Sequence, residues 1–249
     1  MSEIAIEVKN ILKIYKGKRA PLIIFDDFSV SFKKNQTSVI IGPSGCGKST
    51  LLRMIAGLEK PTKGEIVFHT ASRRVGMIFQ EKALFPWLTV AENIAFGLAF
   101  SDIPEKSHNE IKRYWLEKVD LLQFSDYYPA QISGGMKQKL AMARCLAVNP
   151  EIILMDEPFG SLDYHSKFEI IAFFEQLFLS EKKTVILVTH NVQEALYLGD
   201  SVVGLQGIPI NNCVHIDIPE ERPRSIEDIK SKRELYIERS IYSHTKTEK

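Results

Sequence analysis

The stretch Ile41–Thr50 reads I-G-P-S-G-C-G-K-S-T and fits the phosphate-loop pattern G-x-x-x-x-G-K-[ST] in full. Gly42 and Gly47 allow the backbone to turn with its N–H groups inward, and the loop opens onto a helix N-terminus, where the dipole favours an anion. Lys48 can reach the β and γ phosphates of a nucleotide, and the Ser49 hydroxyl can bind magnesium. The predicted nucleoside triphosphate site comprises Gly42, Pro43, Ser44, Gly45, Cys46, Gly47, Lys48, Ser49 and Thr50.

The segments on either side favour this interpretation over a chance glycine-rich turn. Thr37–Ile41 is rich in β-branched residues and predicts a strand, whereas Thr50–Leu58 has helical composition. Strands and helices then alternate along the last part of the domain, over Ile152–Met155, Tyr164–Leu179, Thr184–Val188 and Val192–Leu198. This alternation predicts an α/β fold with a parallel, doubly wound sheet.

The N-terminal part of the chain predicts an antiparallel β subdomain. Residues Ile4–Val8 alternate apolar and charged side chains, and Leu22–Phe32 is a second β-like stretch. Further strands are predicted over Gly64–Phe68 and Val75–Phe79. The phosphate loop thus follows an N-terminal region of strands that is distinct from the alternating region near the end.

An α-helical insertion is predicted at about residues 84–149. Thr89–Phe100 has apolar residues on one helical face, with Thr89 as the cap. A second helix is predicted over Ile111–Leu122, where the residues at helical spacing are Trp115, Val119 and Leu122. The inserted helices would form a subdomain beside the sheet.

These patterns predict a single ATP-binding domain over residues 1–219. Its core comprises 1–83 and 150–219, and a charged tail follows over 220–249. Within the tail, Ile226–Tyr242 is consistent with one amphipathic helix. The tail is expected to be solvated surface, with an added dimer contact as the less favoured alternative.

Composition excludes several classes of protein. The 249 residues are 45% hydrophobic, enough for a sizeable core, and 32 Lys plus Arg nearly balance 31 Asp plus Glu, which argues against a nucleic-acid surface. The longest apolar run is five residues, Ile170–Phe174, so we expect any membrane role to come through a partner. The widely spaced Cys46, Cys145 and Cys213 suit a reducing cytoplasm.

Two acids follow a buried-type strand. Ile152–Met155 is entirely apolar, and Asp156 and Glu157 come directly after it. The C-terminal ends of parallel strands are where doubly wound folds bind ligands, so Asp156 would join the magnesium shell. Glu157 can orient and deprotonate an attacking water. The alternative is a strand that ends in solvated acids, which the upstream phosphate loop disfavours.

A second anion-binding helix terminus is predicted at Ser133-Gly134-Gly135. The helical composition of Met136–Val148 follows, and Asp156 lies 23 residues after the serine. Taken alone, Ser-Gly-Gly is more often an ordinary turn. In this position it resembles the signature motif of the ATP-binding cassette (ABC) ATPases.

The resemblance covers Ile4 to about Pro223. Gln80 matches the family's glutamine loop, His190 the switch histidine, and Ser161-Leu162-Asp163 the loop after the catalytic acid. Tyr15 sits where the family places an aromatic that stacks on adenine, with a packed strand-edge aromatic as the alternative. A lone glutamine or histidine would be uninformative, but the order and spacing of all these elements make chance implausible.

The resemblance implies a head-to-tail homodimer with two ATP molecules between the phosphate loop of one subunit and Ser133, Gly134 and Gly135 of the other. Asp163 would lie at the same nucleotide interface. Glu157 would act as base, His190 would contact the γ-phosphate, and Gln80 would lie near magnesium and water. The implied magnesium ligands are Ser49, Gln80 and Asp156, and the implied cofactors are ATP and Mg²⁺.

An importer subunit is the predicted member of the family, because the chain lacks the fused membrane helices of many exporters. Leu84, Phe85 and Trp87 form an apolar cluster where importers of the family receive a separate permease. The alternative is that part of the cluster belongs to the core of the insertion. An extracytoplasmic substrate-binding protein would act indirectly, at the other side of the membrane. The chain is therefore expected to be peripheral, on the cytoplasmic face.

The subgroup that the chain looks like is that of nitrate, sulfonate and taurine importers. This likeness includes Ser-Gly-Gly-Met-Lys-Gln-Lys, Phe-Pro-Trp-Leu-Thr-Val and Arg222-Pro223-Arg224. One rival is a soluble ABC ATPase in a cofactor-assembly complex without a permease. The other is a small-molecule phosphotransferase, which the paired signature site disfavours.

Cys46 carries a separate hypothesis because it lies in the loop beside Lys48 and just before a helix N-terminus. Such surroundings lower a thiol pKa and raise reactivity where the sulfur is accessible. Alkylation is then expected to inactivate the enzyme, with ATP protecting it. The alternative is a small residue that merely fits.

Overall fold

The structure is a computed structural model that describes residues 3–17, 20–160, 162, 164–224 and 237, with only the backbone of 164 and 165. The strands of the described part are, in chain order, β1 (Ile4–Tyr15), β2 (Leu22–Lys33), β3 (Thr37–Ile41), β4 (Lys63–Phe68), β5 (Val75–Ile78), β6 (Ile152–Asp156), β7 (Thr184–Val188), β8 (Ser201–Leu205) and β9 (Cys213–Asp217). The α-helices there are α1 (Lys48–Ile55), α2 (Val90–Phe96), α3 (His108–Lys118), α4 (Gly134–Ala147), α5 (Tyr164–Glu181) and α6 (Val192–Leu198).

The phosphate-loop strand β3 lies inside a six-stranded sheet. The strand order is β5-β6-β7-β3-β8-β9, in which neighbours are parallel except for the antiparallel pair β8 and β9. Every residue of β3, β6, β7 and β8 is buried, as expected for a sheet with both faces covered. The predicted α/β fold is confirmed. The sequence-based prediction omitted β8 and β9, which complete the sheet beside β3.

Successive residues of the central strands supply two separate cores. Ile152 and Leu154 of β6 pack with the β subdomain and α1, whereas Ile153 and Met155 pack with the helices on the other face. This follows from the period-2 alternation of side chains along a strand. The sheet is thereby held rigidly between two layers.

The β subdomain is a three-stranded antiparallel sheet in the order β2-β1-β4. Val8 pairs with Val30 on one side and with Ile66 on the other. Large aromatics of β2, Phe25, Phe28 and Phe32, are fully buried against it. The predicted antiparallel start of the chain is confirmed, although β1 runs on to Tyr15.

The helical subdomain is built from α2, α3 and α4. The Thr89 hydroxyl accepts from the Glu92 amide while the Glu92 carboxylate accepts from the Thr89 amide, so the predicted cap is a complete capping box. Trp115 and Val119 are buried as predicted. The prediction for Leu122 is wrong: α3 ends at Lys118, and Leu122 lies exposed in a 3₁₀ turn.

Part of the charged tail differs from the prediction. Arg224 is buried and Arg222 is mostly so, rather than solvated, because both guanidinium groups bind backbone carbonyls and Arg222 also binds carboxylates. Ile237 is buried in the core that holds the helices. The rest of the predicted helix Ile226–Tyr242 lies outside the described residues, as do Ser161 and Asp163.

Candidate functional site

The predicted chemistry lies along one edge of the six-stranded sheet. Gln80 follows β5, Glu157 follows β6, His190 follows β7, and the phosphate loop follows β3. These four strands are consecutive neighbours in the sheet. Adjacent strands are about 4.8 Å apart, so the row spans roughly 14 Å. The fold therefore brings together residues that are up to about 150 positions apart in the chain.

The phosphate loop has the backbone that its glycines predict. Gly45 and Gly47 have φ values of 79° and 111°, in the left-handed region where a side chain is strained. A Cβ on Gly47 would lie 2.5 Å from the Ile24 side chain, and one on Gly42 would lie 2.6 Å from the Leu205 carbonyl. A Cβ on Gly45 would meet nothing within 4 Å. The loop is therefore tightly packed at Gly42 and Gly47 but has free space beside Gly45.

Lys48 is held where the loop turns around its ammonium group. The Lys48 Nζ donates to the carbonyls of Gly42 and Pro43, each at 2.9 Å, and the side chain is buried. The residue is the first of α1, so the amides of that helix N-terminus lie beside it. A buried cation and free helix amides together suit an anion such as a polyphosphate.

Ser49 and Asp156 form a pair of hard oxygen groups between α1 and β6. The Ser49 hydroxyl donates to Asp156 Oδ1 at 2.8 Å. Burial raises the pKa of Asp156, and the nearby Glu157 charge adds to this, against the opposing hydrogen bond from Ser49. A divalent cation at this carboxylate would favour its ionised form. One or two protein oxygens beside substrate phosphates fit the coordination that Mg²⁺ prefers.

Glu157 occupies a strained turn at the end of β6. Its φ is 45°, in the left-handed region, and its amide donates to the Val188 carbonyl of β7 at 3.0 Å. Glu157 Oε2 lies 3.4 Å from His190 Nδ1. The imidazole is exposed, and the carboxylate is partly so. The structure thus places the predicted base and the predicted switch histidine in contact.

Tyr15 is joined to the phosphate loop through its hydroxyl. The hydroxyl donates to Glu59 Oε2 at 2.5 Å and lies 3.4 Å from the Thr50 hydroxyl. Lys13 Nζ lies 4.8 Å from the ring centroid and pairs with the same glutamate at 3.0 Å. Burial raises the pKa of Tyr15, and the bond to Glu59 raises it further. The phenol therefore stays a hydrogen-bond donor with a fixed ring.

The signature residues lie apart from this row. The Ser133 hydroxyl caps α4 by accepting from the Met136 amide at 3.3 Å, and the serine is exposed. A Cβ on Gly134 would meet Leu162, and one on Gly135 would meet Ile170. The neighbours of these glycines thus come from α5 and the residue Leu162 before it. Ser133 and Gly134 are exposed to solvent.

The region after Gln80 carries an exposed strip of aromatic side chains, the aromatic strip, formed by Phe85, Trp87, Phe96 and Phe100. Successive ring centroids lie 5.6 Å (Phe85–Trp87), 4.3 Å (Phe85–Phe96) and 5.3 Å (Phe96–Phe100) apart. Trp87 is 69% exposed and Phe100 is 79% exposed. Leu84 instead packs on the helical core. The prediction named Phe85 and Trp87 but missed Phe96 and Phe100. These two rings come next to Phe85 only through the folding of α2 and the turn after it.

Asn93 holds the loop that carries the strip. Its buried side chain accepts from the Phe85 amide, and its two N–H groups are shared among the carbonyls of Phe85, Leu88 and Thr89, at 2.9–3.1 Å. The Arg144 guanidinium adds bonds to the carbonyls at 82 and 83. No sequence pattern indicated this role, because an asparagine in a helix gives no sign of which carbonyls it meets.

The reactivity hypothesis for Cys46 is not supported by its surroundings. The thiol is only 3% exposed, and its burial raises the pKa despite the nearby Lys48. The packing alternative therefore describes this cysteine. The predicted contact of Asp163 lies outside the described residues.

The fold and this row of motifs define a class of ATP-hydrolysing cassette. The family model described as "ABC transporter" matches residues 25–160, and the chain belongs to that family. It is an ABC ATP-binding subunit, and it hydrolyses ATP. Among the helices of the described residues, none combines the length and apolar character needed to cross a bilayer.

The chain matches several curated relatives over nearly its whole length. It is 39% identical to the uncharacterised ABC transporter ATP-binding protein MJ0412 of Methanocaldococcus jannaschii, covering 94% of this chain and 90% of that protein. It is 37% identical to the nitrate import ATP-binding protein NrtD of Synechocystis (92% and 89%). It is 35% identical to the aliphatic sulfonates import ATP-binding protein SsuB of Bacillus cereus (95% and 96%).

Two solved structures with the same fold are described as dimeric. The post-hydrolysis dimer of the cassette MJ0796 bound to ADP and Pi aligns with a TM-score of 0.73 at 28% identity, covering 87% of this chain and all of that one. A second dimeric structure of MJ0796 also aligns with a TM-score of 0.73, at 29% identity. The confirmed expectations are thus the family, the fold class and the ATPase activity.

Proposed function

We propose that the chain is the ATP-hydrolysing subunit of an importer that takes up a small anion, such as nitrate, a sulfonate or taurine, through a separate permease. The observation that carries this proposal is the near full-length likeness to the import subunits NrtD and SsuB. The substrate would be delivered by an extracytoplasmic binding protein. The chain itself would be peripheral, on the cytoplasmic face of the membrane.

Two copies would associate head to tail around two ATP molecules. The exposed Ser133 cap and its glycines would complete a site whose other half is the phosphate loop of the partner. Lys48 would neutralise the β and γ phosphates, and Tyr15 would stack on adenine with the ring face away from Lys13. Asp163 would contact the nucleotide at the same interface.

Hydrolysis would use the groups at the ends of β5, β6 and β7. Glu157 would orient the water and take its proton, while His190, 3.4 Å from that carboxylate, would contact the γ-phosphate. Ser49, Asp156 and Gln80 would hold Mg²⁺, which supplies charge neutralisation at the phosphates when bound. The prebuilt contact between Glu157 and His190 would leave dimer closure as the step that completes the site.

The aromatic strip would receive the permease. Trp87 and Phe100 expose large apolar surfaces at little conformational cost, which is the composition of partner interfaces. The strip follows Gln80 directly in the chain, so a partner seated on it would act next to the catalytic row. Leu84 would contribute through the core beneath.

Uptake into proteoliposomes tests this proposal. The chain would be co-expressed with a candidate permease from the same genome, purified as a complex, and reconstituted with a candidate binding protein. We expect ATP-dependent uptake of labelled nitrate, an alkanesulfonate or taurine, and no uptake with Glu157→Gln. Surface variants such as Lys112→Ala, away from the strip and the row, should transport normally.

Two outcomes would count against the importer assignment. Purification of the chain with soluble proteins only would favour the cofactor-assembly alternative. Transport of none of the three anion types by an intact, ATP-hydrolysing complex would refute the substrate class while leaving the ATPase role intact.

A further inference from the structure

After β9 the chain places two arginines at the C-terminus of α6, near the start of β3. Arg224 Nη1 donates to the carbonyls of Leu196 and Gly199, at 2.8 and 2.7 Å. Arg222 Nη1 donates to the Leu198 carbonyl at 2.8 Å. Helix C-termini leave such carbonyls without intrahelical partners, and cations are favoured there by the helix dipole. Together the two arginines form a clamp, the arginine clamp, on this helix end.

The clamp is anchored to the rest of the domain through Arg222. Its guanidinium binds both carboxylate oxygens of Asp200 at 3.0 Å and Glu175 Oε2 of α5 at 3.2 Å. It also donates to the Thr37 hydroxyl at 3.2 Å, at the start of the strand that ends in the phosphate loop. A bidentate guanidinium pair has a defined geometry as well as energy. The end of α6 is therefore fixed to β3 and α5.

The other end of α6 begins at Val192, and His190 directly precedes its cap, Asn191. Asn191 caps the helix by accepting from the amides of Gln193 and Glu194, at 2.8 and 3.2 Å. Glu194 in turn accepts from the Thr189 hydroxyl at 2.5 Å. The helix has seven residues, so its two ends are about 10 Å apart. A short, capped helix moves as one body, and a shift at the clamp would move the histidine.

Stability alone is a weak reason for this arrangement. Burying charged groups costs desolvation free energy, and an apolar replacement of a buried ion pair is often neutral or stabilising. Burial raises the pKa of Glu175, against the opposing effect of Arg222, so the carboxylate is costly where it lies. What two rigid guanidinium groups provide beyond apolar packing is the fixed position of the carbonyls that they bind.

We propose that Arg222 and Arg224 are positioning residues for ATP hydrolysis, which set the placement of His190 through α6. This inference rests on the role of His190 in the proposed function. It assigns a catalytic purpose to the segment after β9, at the edge of the sheet opposite the nucleotide.

Hydrolysis by the full-length chain alone tests the clamp. The variants are Arg224→Lys and Arg224→Met, assayed well below their measured Tm. We expect Arg224→Met to lower kcat about tenfold with KM for ATP within about twofold, as for loss of an interaction made only in the transition state. The kcat of Arg224→Lys should lie between those of wild type and Arg224→Met, because lysine keeps the positive charge but lacks the planar set of donors of a guanidinium group. Ile11→Val, buried in β1, is the control that lowers Tm without changing kcat.

A double-mutant cycle with His190→Ala separates positioning from general stabilisation. If the clamp acts through His190, Arg224→Met should cause no further loss of kcat in the His190→Ala background. Additive losses, or a kcat for Arg224→Met equal to that of wild type, would overturn the proposal. If Arg224→Met does not fold, Arg222→Lys replaces it in the same cycle. A fully active His190→Ala variant would instead refute the role of His190 on which the clamp depends.

Discussion

Replacing Asn93 by alanine is expected to release the loop that presents Trp87. The asparagine side chain is fully buried, and its amide group bonds to four backbone groups at 85, 88 and 89, with two N–H groups shared by three carbonyls. Alanine fits the helix but leaves those loop groups without their partner. The perturbation is therefore confined to the segment on which the aromatic strip depends.

The magnitude follows from the one hydrogen bond that the Asn93 amide oxygen accepts and the two that its N–H groups can donate. At about 0.5–1.5 kcal/mol each, the loss of these three bonds lowers the free energy of unfolding by roughly 1.5–4.5 kcal/mol. In a chain of this size each kcal/mol shifts Tm by about 2–4 °C, so we expect a fall of roughly 3–18 °C. The loop at 85–89 contains none of the proposed catalytic residues, and basal ATP hydrolysis at low temperature should change little.

Two measurements check this prediction. Calorimetry gives the change in Tm, and hydrogen exchange should show lost protection at the Phe85 amide, which donates to Asn93. Asn109→Ala is the matched control, because Asn109 is exposed and accepts only from Lys112 in the hydrogen bonds seen. A Tm within about 1 °C of wild type, with protection at Phe85 unchanged, would contradict the reasoning, since even one lost bond predicts more.

Three further predictions concern the site. Glu157→Gln should bind ATP yet hydrolyse it about 10²–10⁴-fold more slowly, and near-normal steady-state turnover would rule out Glu157 as base. Trp87→Ala should leave Tm unchanged but abolish copurification with the permease, whereas retention of the complex would remove Trp87 from the interface. Because burial raises the pKa of Cys46, its alkylation by iodoacetamide at pH 8 should be slower than in the urea-unfolded chain and should speed up as pH rises; fast native labelling that ATP blocks would contradict this.

Local patterns predicted the backbone of the phosphate loop, the start of α2 and the strand before Asp156. The glycine spacing at Ile41–Thr50 requires the backbone that Gly45 and Gly47 adopt, and the capping box at Thr89 depends on residues three apart. The continuous apolar run before Asp156 likewise indicates a strand that is buried on both faces of a parallel sheet. Such features are set within a few residues, so the sequence contains them directly.

Features that depend on tertiary contacts were missed. Arg222 and Arg224 look like solvated charges until α6 and Asp200 are placed beside them. Helical spacing placed Leu122 on the α3 face, but the helix ends four residues earlier. The Cys46 thiol lies beside a lysine as expected, yet its burial outweighs that charge. In each case the outcome depends on contacts with residues that are distant in the chain, and a local sequence pattern does not contain those contacts.

The position of β5 has a mechanical consequence. It is one of the two edge strands of the six-stranded sheet, β9 being the other, and it pairs with β6, while the loop after it bears Gln80 and then Trp87. An edge strand has hydrogen-bonded neighbours on one side only, so it is displaced more easily than the strands within the sheet. A force that a partner exerts on Trp87 would therefore displace β5 before the inner strands. It would reach Glu157, at the end of the neighbouring strand β6, after one strand spacing of about 4.8 Å. The phosphate loop, three strands inward, would keep its shape while the position of Glu157, the proposed base, is adjusted.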